Sequence, residues 1–344
     1  MNPILYLLAL PVLTDSLLLV QILKEREFFT HKGSLALPAT VIVPIRDWDI
    51  SLEGNVKSLL SQDFPPGYQV VYVVDQDQQW LAERLKGLGV EVVTSDFPCR
   101  SCSGKIRAQL SGLRRARNQV VVFADSDTFY PPHWLKGMVS RLENYTAVTT
   151  FSWPRPIRAS LRNVLRAGFW TLGFESQALN GTFLWGGSMA FRRDFLDREV
   201  EEELSGEWCD DCTLTRIVKR RGGRIAFLGD VIPINIYDEE DLARWSSRQI
   251  VTIVKYSPRG AKAYLVVGGV FSSFLILFLI SLNPIFLSPL LLWIIKNLHR
   301  SHKLGKESLL PSFASVLGLY FAWIMLILNY RRDKVYWRGR EYKL

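Results

Sequence analysis

Asp125-Ser126-Asp127 closes an apolar run at residues 119–123 (QVVVF) and sets two carboxylates one residue apart. In an extended turn such alternation lets both converge on one hard cation that keeps open positions for phosphate oxygens. A solvated turn capping a helix at Pro131 fits the same three residues. Asp75 and Asp77 end a second apolar run, residues 69–74 (QVVYVV), at the place where ligands of an open α/β sheet gather. An Asx turn ahead of Gln79 is the alternative for Asp75. The four cysteines form two CxxC pairs, one at Cys99 and Cys102 and one at Cys209 and Cys212. They lie too far apart for a zinc ribbon, so reduced packing cysteines are expected, with a zinc site and reversible thiol chemistry as alternatives.

Such residues need a scaffold. Residues 39–44 (ATVIVP), 69–74, 90–93 and 119–123 predict strands, and 52–62, 79–88 and 106–117 predict the helices between them. This alternation is that of a parallel α/β sheet. Residues 159–174 (ASLRNVLRAGFWTLGF) mix Arg162, Arg166, Phe169 and Trp170 into an apolar pattern, as either a membrane-surface helix or a buried core helix would.

The whole chain has 344 residues, 48% of them hydrophobic, and a mean hydropathy of +0.09. That is too apolar for an average soluble domain and too polar for an all-membrane protein. Its net charge of +9 is concentrated beside apolar stretches, which suits anionic headgroups; no basic stripe interleaved with aromatics points to nucleic acid. Residues 3–23 lack a signal-peptide cleavage site and read as a retained anchor. Residues 264–298 carry no charge before Lys296 and are interrupted at Asn283-Pro284, which predicts a helical hairpin whose short second arm, 285–299, spans or is re-entrant. Residues 309–330 form the last apolar run. The expected organisation is an anchor at 1–24, a cytosolic domain at 35–260, two or three membrane helices in 264–330, and a basic tail at 331–344. Basic flanks put the middle of the chain in the cytosol, whereas the hairpin leaves the basic tail outside, against the same rule.

Seven segments then occur in a familiar order: VIVPIRDWDISLEGNVKSLLSQDFP (41–65), VVYVVDQD (70–77), GKIRAQLSGLRRA (104–116), VVFADSDTFYPPHWL (121–135), WGGSMAFRRDFL (185–196), DDCTLTRIVKRRGGRIAF (210–227) and ARWSSRQ (243–249). The order resembles that of inverting GT-A glycosyltransferases of family 2/21 type, most nearly the ceramide glucosyltransferase group. The resemblance implies an α/β GT-A, or nucleotide-diphospho-sugar transferase, Rossmann-like domain with N-terminal and C-terminal transmembrane helices. It implies an integral multi-pass enzyme, its catalytic domain cytosolic, that moves a hexose such as glucose from a UDP-sugar to a membrane lipid hydroxyl.

Residue by residue, the resemblance assigns Pro44, Asp75 and Asp77 to the donor nucleoside. It assigns Lys105 to the diphosphate, and Asp125 and Asp127 to Mn²⁺ or Mg²⁺ between the phosphates. Asp211, beside Asp210, looks like the general base: a carboxylate there can take the acceptor proton as the oxygen attacks the anomeric carbon. Gly186-Gly187-Ser188 resembles the turn that passes close to the donor sugar. Arg244 and Trp245 match the signature element of the acceptor and diphosphate side, with Arg248 and Gln249 one turn on. Asp241 departs from the pattern, standing where Gln or Arg is expected. A processive polysaccharide synthase and a non-catalytic sugar-nucleotide sensor are the competing readings; few membrane segments count against the first, and the intact aspartate set against the second.

Overall fold

The computed structural model describes residues 3–30, 33–178, 183–337 and 340–343. Its first half runs α1 (Pro3–Glu25), β1 (Ala39–Ile45), α2 (Leu52–Leu60), β2 (Tyr68–Val74), α3 (Gln79–Gly87), β3 (Glu91–Thr94), α4 (Gly104–Leu113), β4 (Val120–Ala124), β5 (Thr128–Phe129) and α5 (Trp134–Ser140). There follow β6 (Ala147–Thr149), β7 (Trp153–Pro156), α6 (Leu161–Trp170), α7 (Gly173–Ala178), β8 (Ser188–Arg192), α8 (Arg198–Leu204), α9 (Asp210–Arg220), β9 (Ile225–Phe227) and β10 (Ile234–Tyr237). The chain ends with α10 (Leu242–Tyr256), α11 (Pro258–Ser281), α12 (Ser288–Arg300), α13 (Leu309–Asn329), β11 (Lys334–Trp337) and β12 (Arg340–Lys343). The four strands and three helices expected before residue 125 are all present.

Two compact units are interleaved in sequence. Phe28–Ser152 joins Gly181–Ile236 in one, and Met1–Glu27, Trp153–Asn180 and Tyr237–Leu344 make the other. Within residues 35–260, the stretches 153–180 and 237–260 belong to the helical unit. Both stretches carry amphipathic helices, α6 and α10, that pack on α13 there.

The first unit is a seven-stranded sheet of order β3-β2-β1-β4-β8-β6-β9. β3, β2, β1 and β4 are parallel, whereas β8 runs antiparallel to both β4 and β6. Alternation along the strands sends Val41, Val43, Tyr72 and Val122 to one face, with Leu52, Leu81 and Trp134 from α2, α3 and α5. Ile42, Val71, Val73 and Phe123 go to the other, with Ile106, Leu110 and Leu214 from α4 and α9. Burial on both faces explains why these strands read as unbroken apolar runs.

In the second unit, three helices are long and apolar enough to cross a membrane, within Leu7–Phe29, Pro258–Ser281 and His302–Asn329. α11 ends where Asn283-Pro284 interrupts the pattern, and the following α12 has only 13 residues. α12 runs parallel to α1: Ser288 Oγ donates to Asp15 Oδ2 (2.6 Å), Lys296 Nζ to Gln21 Oε1 (3.2 Å), and Arg300 Nε to Glu25 Oε2 (2.7 Å). Glu175 of α7 completes this buried set, 2.8 Å from Lys296 Nζ and also paired with Arg300. Buried charges persist only when paired in this way.

Candidate active site

The antiparallel register of β4 and β8 pairs Ala124 with Ser188. The residue leaving β4, Asp125, therefore meets the residue entering β8, Gly187. A Cβ on Gly187 would lie 2.5 Å from Asp125 Oδ2 and 2.3 Å from the Trp185 ring, so only glycine fits. The turn between Asp125 and Thr128 is held by its backbone. Asn55 Nδ2 donates to Asp125 O (3.0 Å) and Thr128 O (2.6 Å), and the Tyr72 hydroxyl fixes Asn55 by donating to its Oδ1. The Tyr130 hydroxyl accepts from Asp125 N (2.8 Å) and donates to Gly187 O (2.7 Å). Asn235 Nδ2 donates to Asp127 O (3.1 Å).

Lys105 enters from the first turn of α4, which Ser103 caps by accepting from Ile106 N. Its Nζ lies 2.8 Å from Asp125 Oδ1 and 3.3 Å from Asp210 Oδ2. One helical turn on, Gln109 Nε2 donates to Asp210 Oδ2 at 2.7 Å. Burial works against a charged Lys105, but Asp125 and Asp210 outweigh it and hold the ammonium above its ordinary range. Asp210 and Asp211 occupy the first turn of α9, where the helix dipole favours carboxylates. Gly186 N–H donates to Asp211 Oδ2 at 2.8 Å. Burial, and then the charge of Asp210, lift Asp211 to about 7 against the opposing pull of Lys105 and of the Gly186 and Cys212 amides. A carboxyl in that range can exchange a proton near neutral pH.

Both CxxC pairs are closed as disulfides, Cys99 to Cys102 and Cys209 to Cys212, which corrects the expectation of reduced packing cysteines. The three-residue spacing brings the Cα atoms to 5.6 and 5.4 Å, within disulfide reach. The two loops also share a backbone ladder: Arg100 N and Ser101 N donate to Ser205 O, and Ser103 N donates to Glu207 O. Cys209, Asp211 and Cys212 form a tight group of ligand types, yet sulfurs joined in a disulfide offer no thiolate, so a zinc ion does not fit. The oxygen-only pair Asp125 and Asp127, both partly exposed, is the donor set that suits Mn²⁺ or Mg²⁺.

Asp75 sits apart from these charges. The parallel register Ile45 to Val74 brings Arg46 beside it, and the two pair at 3.1 Å with 32% and 24% of their side chains exposed. Asp77 is exposed in the next turn, and Pro44 is half-buried in β1. Arg46, Asn55, Gln109 and Tyr130 are contacts of the candidate site that sequence reading missed. Gln109 alone left a signal, its spacing of four from Lys105 on one helix.

In the helical unit, Asp241 caps α10: its Oδ1 accepts from Arg244 N (3.0 Å) and its Oδ2 pairs with Arg244 Nε (3.1 Å). The departure from the expected Gln or Arg is thus a helix cap. Arg244 is exposed, and Arg248 and Gln249 are half-buried. Trp245 is only 8% exposed. It packs against Phe169 and Trp170, with the Arg166 guanidinium over its ring. Trp245, expected on the acceptor and diphosphate side, is thus enclosed by aromatic and cationic side chains.

The family profile described as glycosyltransferase like family 2 matches residues 38–260. No curated protein matches the chain significantly. Among solved structures, a mannosyltransferase from Pyrobaculum calidifontis in complex with GDP-Man and Mn²⁺ is similar at 20% identity and a TM-score of 0.48, over 92% of this chain and 87% of that one. Glucosyl-3-phosphoglycerate synthase from Mycobacterium tuberculosis, in complex with Mn²⁺, UDP and phosphoglyceric acid, is similar at 18% identity and a TM-score of 0.44, over 64% and 78% of the two chains.

Proposed function

Because the chain belongs to the glycosyltransferase like family 2, we propose that it transfers a single hexose from a nucleotide-diphosphate sugar to a membrane lipid hydroxyl, inverting the anomeric configuration. UDP-glucose is the donor we favour, with ceramide or another membrane lipid as acceptor. The observation that carries this reading is the charge arrangement around Lys105, with Asp125 on one side and Asp210 and Asp211 on the other. Asp125 and Asp127 would hold Mn²⁺ or Mg²⁺, which supplies positive charge to a departing diphosphate. Lys105 would add a second cation on the same leaving group. Asp211 accepts the proton of the attacking hydroxyl, at a carboxyl already poised near neutrality. Asp75 and Arg46 would receive the nucleoside, and Arg244 the acceptor or diphosphate side.

Three apolar helices long enough to cross a bilayer favour an acceptor that stays in the membrane and is reached from its cytosolic face. The test is purified protein in detergent with labelled nucleotide sugars and lipid extracts, read by product mass and anomeric configuration. A β-linked monoglycosyl lipid from an α-linked donor is expected. A long water-soluble polysaccharide, or an α-linked lipid, overturns the proposal.

A further inference from the structure

Cys209 and Cys212 flank Asp211 in sequence, and the start of α9 gathers all three. The two sulfurs and a carboxylate oxygen of Asp211 lie within 4.8 Å of one another. Cys209 Sγ stands 3.0 Å from Asp211 Oδ1, while the Gly186 amide holds Oδ2 at 2.8 Å. Neither Cys99 nor Cys102 belongs to the group, so it differs from a zinc site built on all four cysteines. Cys209 is buried, but Asp211 and Cys212 are half-buried, which leaves a small ion a way in from solvent.

What the closed disulfide lacks is thiolate. A dithiol reductant supplies two electrons and two protons, becoming a disulfide itself; the Sγ–Sγ bond breaks and two thiols remain. A thiophilic cation then displaces both thiol protons and gains two thiolates and one carboxylate oxygen. The Cys-x-x-Cys spacing is one that zinc sites use for a ligand pair, and three protein ligands with water in the fourth place complete a tetrahedral zinc shell. Charge favours such an ion. The three ligands carry three negative charges against one positive charge on Lys105, which Asp125 and Asp210 already flank. The Gly186 amide fixes the carboxylate's orientation, as metal ligands require. Sulfur donors also separate this group from the oxygen pair Asp125 and Asp127, which suits Mn²⁺ or Mg²⁺.

We propose that, once the Cys209–Cys212 disulfide is reduced, Cys209, Asp211 and Cys212 bind Zn²⁺ or a similarly thiophilic divalent cation, which silences the enzyme by claiming the carboxylate that serves as base. The disulfide is then a guard. Closed, it keeps Asp211 free of metal; opened, as a reducing compartment favours, it exposes the base to capture. The effect on turnover rests on reading Asp211 as the base, whereas binding of the ion does not.

The test uses the full chain in detergent, in its oxidised form and after reduction with a dithiol that is then removed by anaerobic gel filtration. Each form is titrated with Co²⁺, whose thiolate complexes absorb by charge transfer. The reduced protein alone should develop a sulfur-to-cobalt band, which Zn²⁺ then removes by displacement; this comparison needs no substitution. The double variant Cys99→Ser, Cys102→Ser should keep the band, and Cys209→Ser, Cys212→Ser should lose it. In the transfer assay with Mn²⁺ in excess, Zn²⁺ at the level that displaces cobalt should abolish the activity of the reduced protein and spare the oxidised one. Absence of the band in the reduced protein, its survival without Cys209 and Cys212, or equal inhibition of both forms overturns the proposal. Absence of any sugar transfer by the zinc-free protein supplied with Mn²⁺ counts against the proposed function instead, and the cobalt spectra still decide the site.

Discussion

The Gly186 amide reaches Asp211 Oδ2 at 2.8 Å, so the turn that leads into β8 also orients the proposed base. The Cys212 amide also donates to this carboxylate. Asp211→Asn should keep nucleotide affinity within a few-fold while kcat falls by ~10²-fold or more, the usual scale for general-base loss. Equal losses of binding and rate would mark the residue as a donor or metal ligand instead.

The sign of the pH dependence follows from the neighbours of Asp211. The base must be ionised, so kcat/KM should climb with pH below about 7 and level off above it. Lys105 lowers this value and Asp210 raises it. Lys105→Gln should therefore move the midpoint upward, and Asp210→Asn should move it downward. A profile of identical midpoint in all three proteins would refute the coupling.

Metal dependence is expected from the oxygen-donor pair. Asp127→Ala should abolish turnover and leave circular dichroism unchanged, and excess EDTA should silence the wild type until Mn²⁺ or Mg²⁺ is restored. Full activity in EDTA would remove the metal from the mechanism.

Gly187→Ala forces a methyl group into the space of Asp125 Oδ2 and the Trp185 ring. Overpacking of this kind costs about 1–3 kcal/mol, and the loss should appear as weaker nucleotide binding together with a lower melting temperature. Gly54→Ala, with nothing within 4 Å of the added carbon, is the control and should raise stability slightly through helix propensity. Indistinguishable behaviour of the two variants by calorimetry would count against the close approach.

Among the described residues no cysteine is free. Alkylation of the native protein should therefore add no mass, and alkylation after reduction should label four thiols. Four labels without reductant would show open CxxC pairs.

Much of the sheet unit was legible because its first strands are buried on both faces and their helices are amphipathic, which are local signals. The aspartates at strand ends followed from the topology of parallel sheets. What stayed hidden depends on distant pairing. The partnership of Lys105 with Asp210 needs β8 inserted antiparallel between β4 and β6, and no periodicity reports which strand lies beside which. Asn55 and Tyr130 act through backbone oxygens of a turn far along the chain. Trp245 looked like a ligand surface by its motif but is buried, because α6, contributed by a remote stretch, covers it. Asp241 looked like a defect until the start of α10 showed it capping Arg244 N.

The position of β8 in the GT-A sheet also sets an order of assembly. β6 has no direct partner in β4, since β8 lies between them. The chain makes β8 only after the excursion from Trp153 through α7. During synthesis, which proceeds from the amino terminus, β1 to β4 can pair early, but β6 must wait with an open edge until Ser188–Arg192 arrives. Gly186 and Gly187 come with that closing strand, so the enzyme acquires its donor-facing turn at the moment its sheet is sealed. A ribosome stalled before residue 188 would display an unfinished sheet with no competent nucleotide site, whatever α1 had already done to tether it.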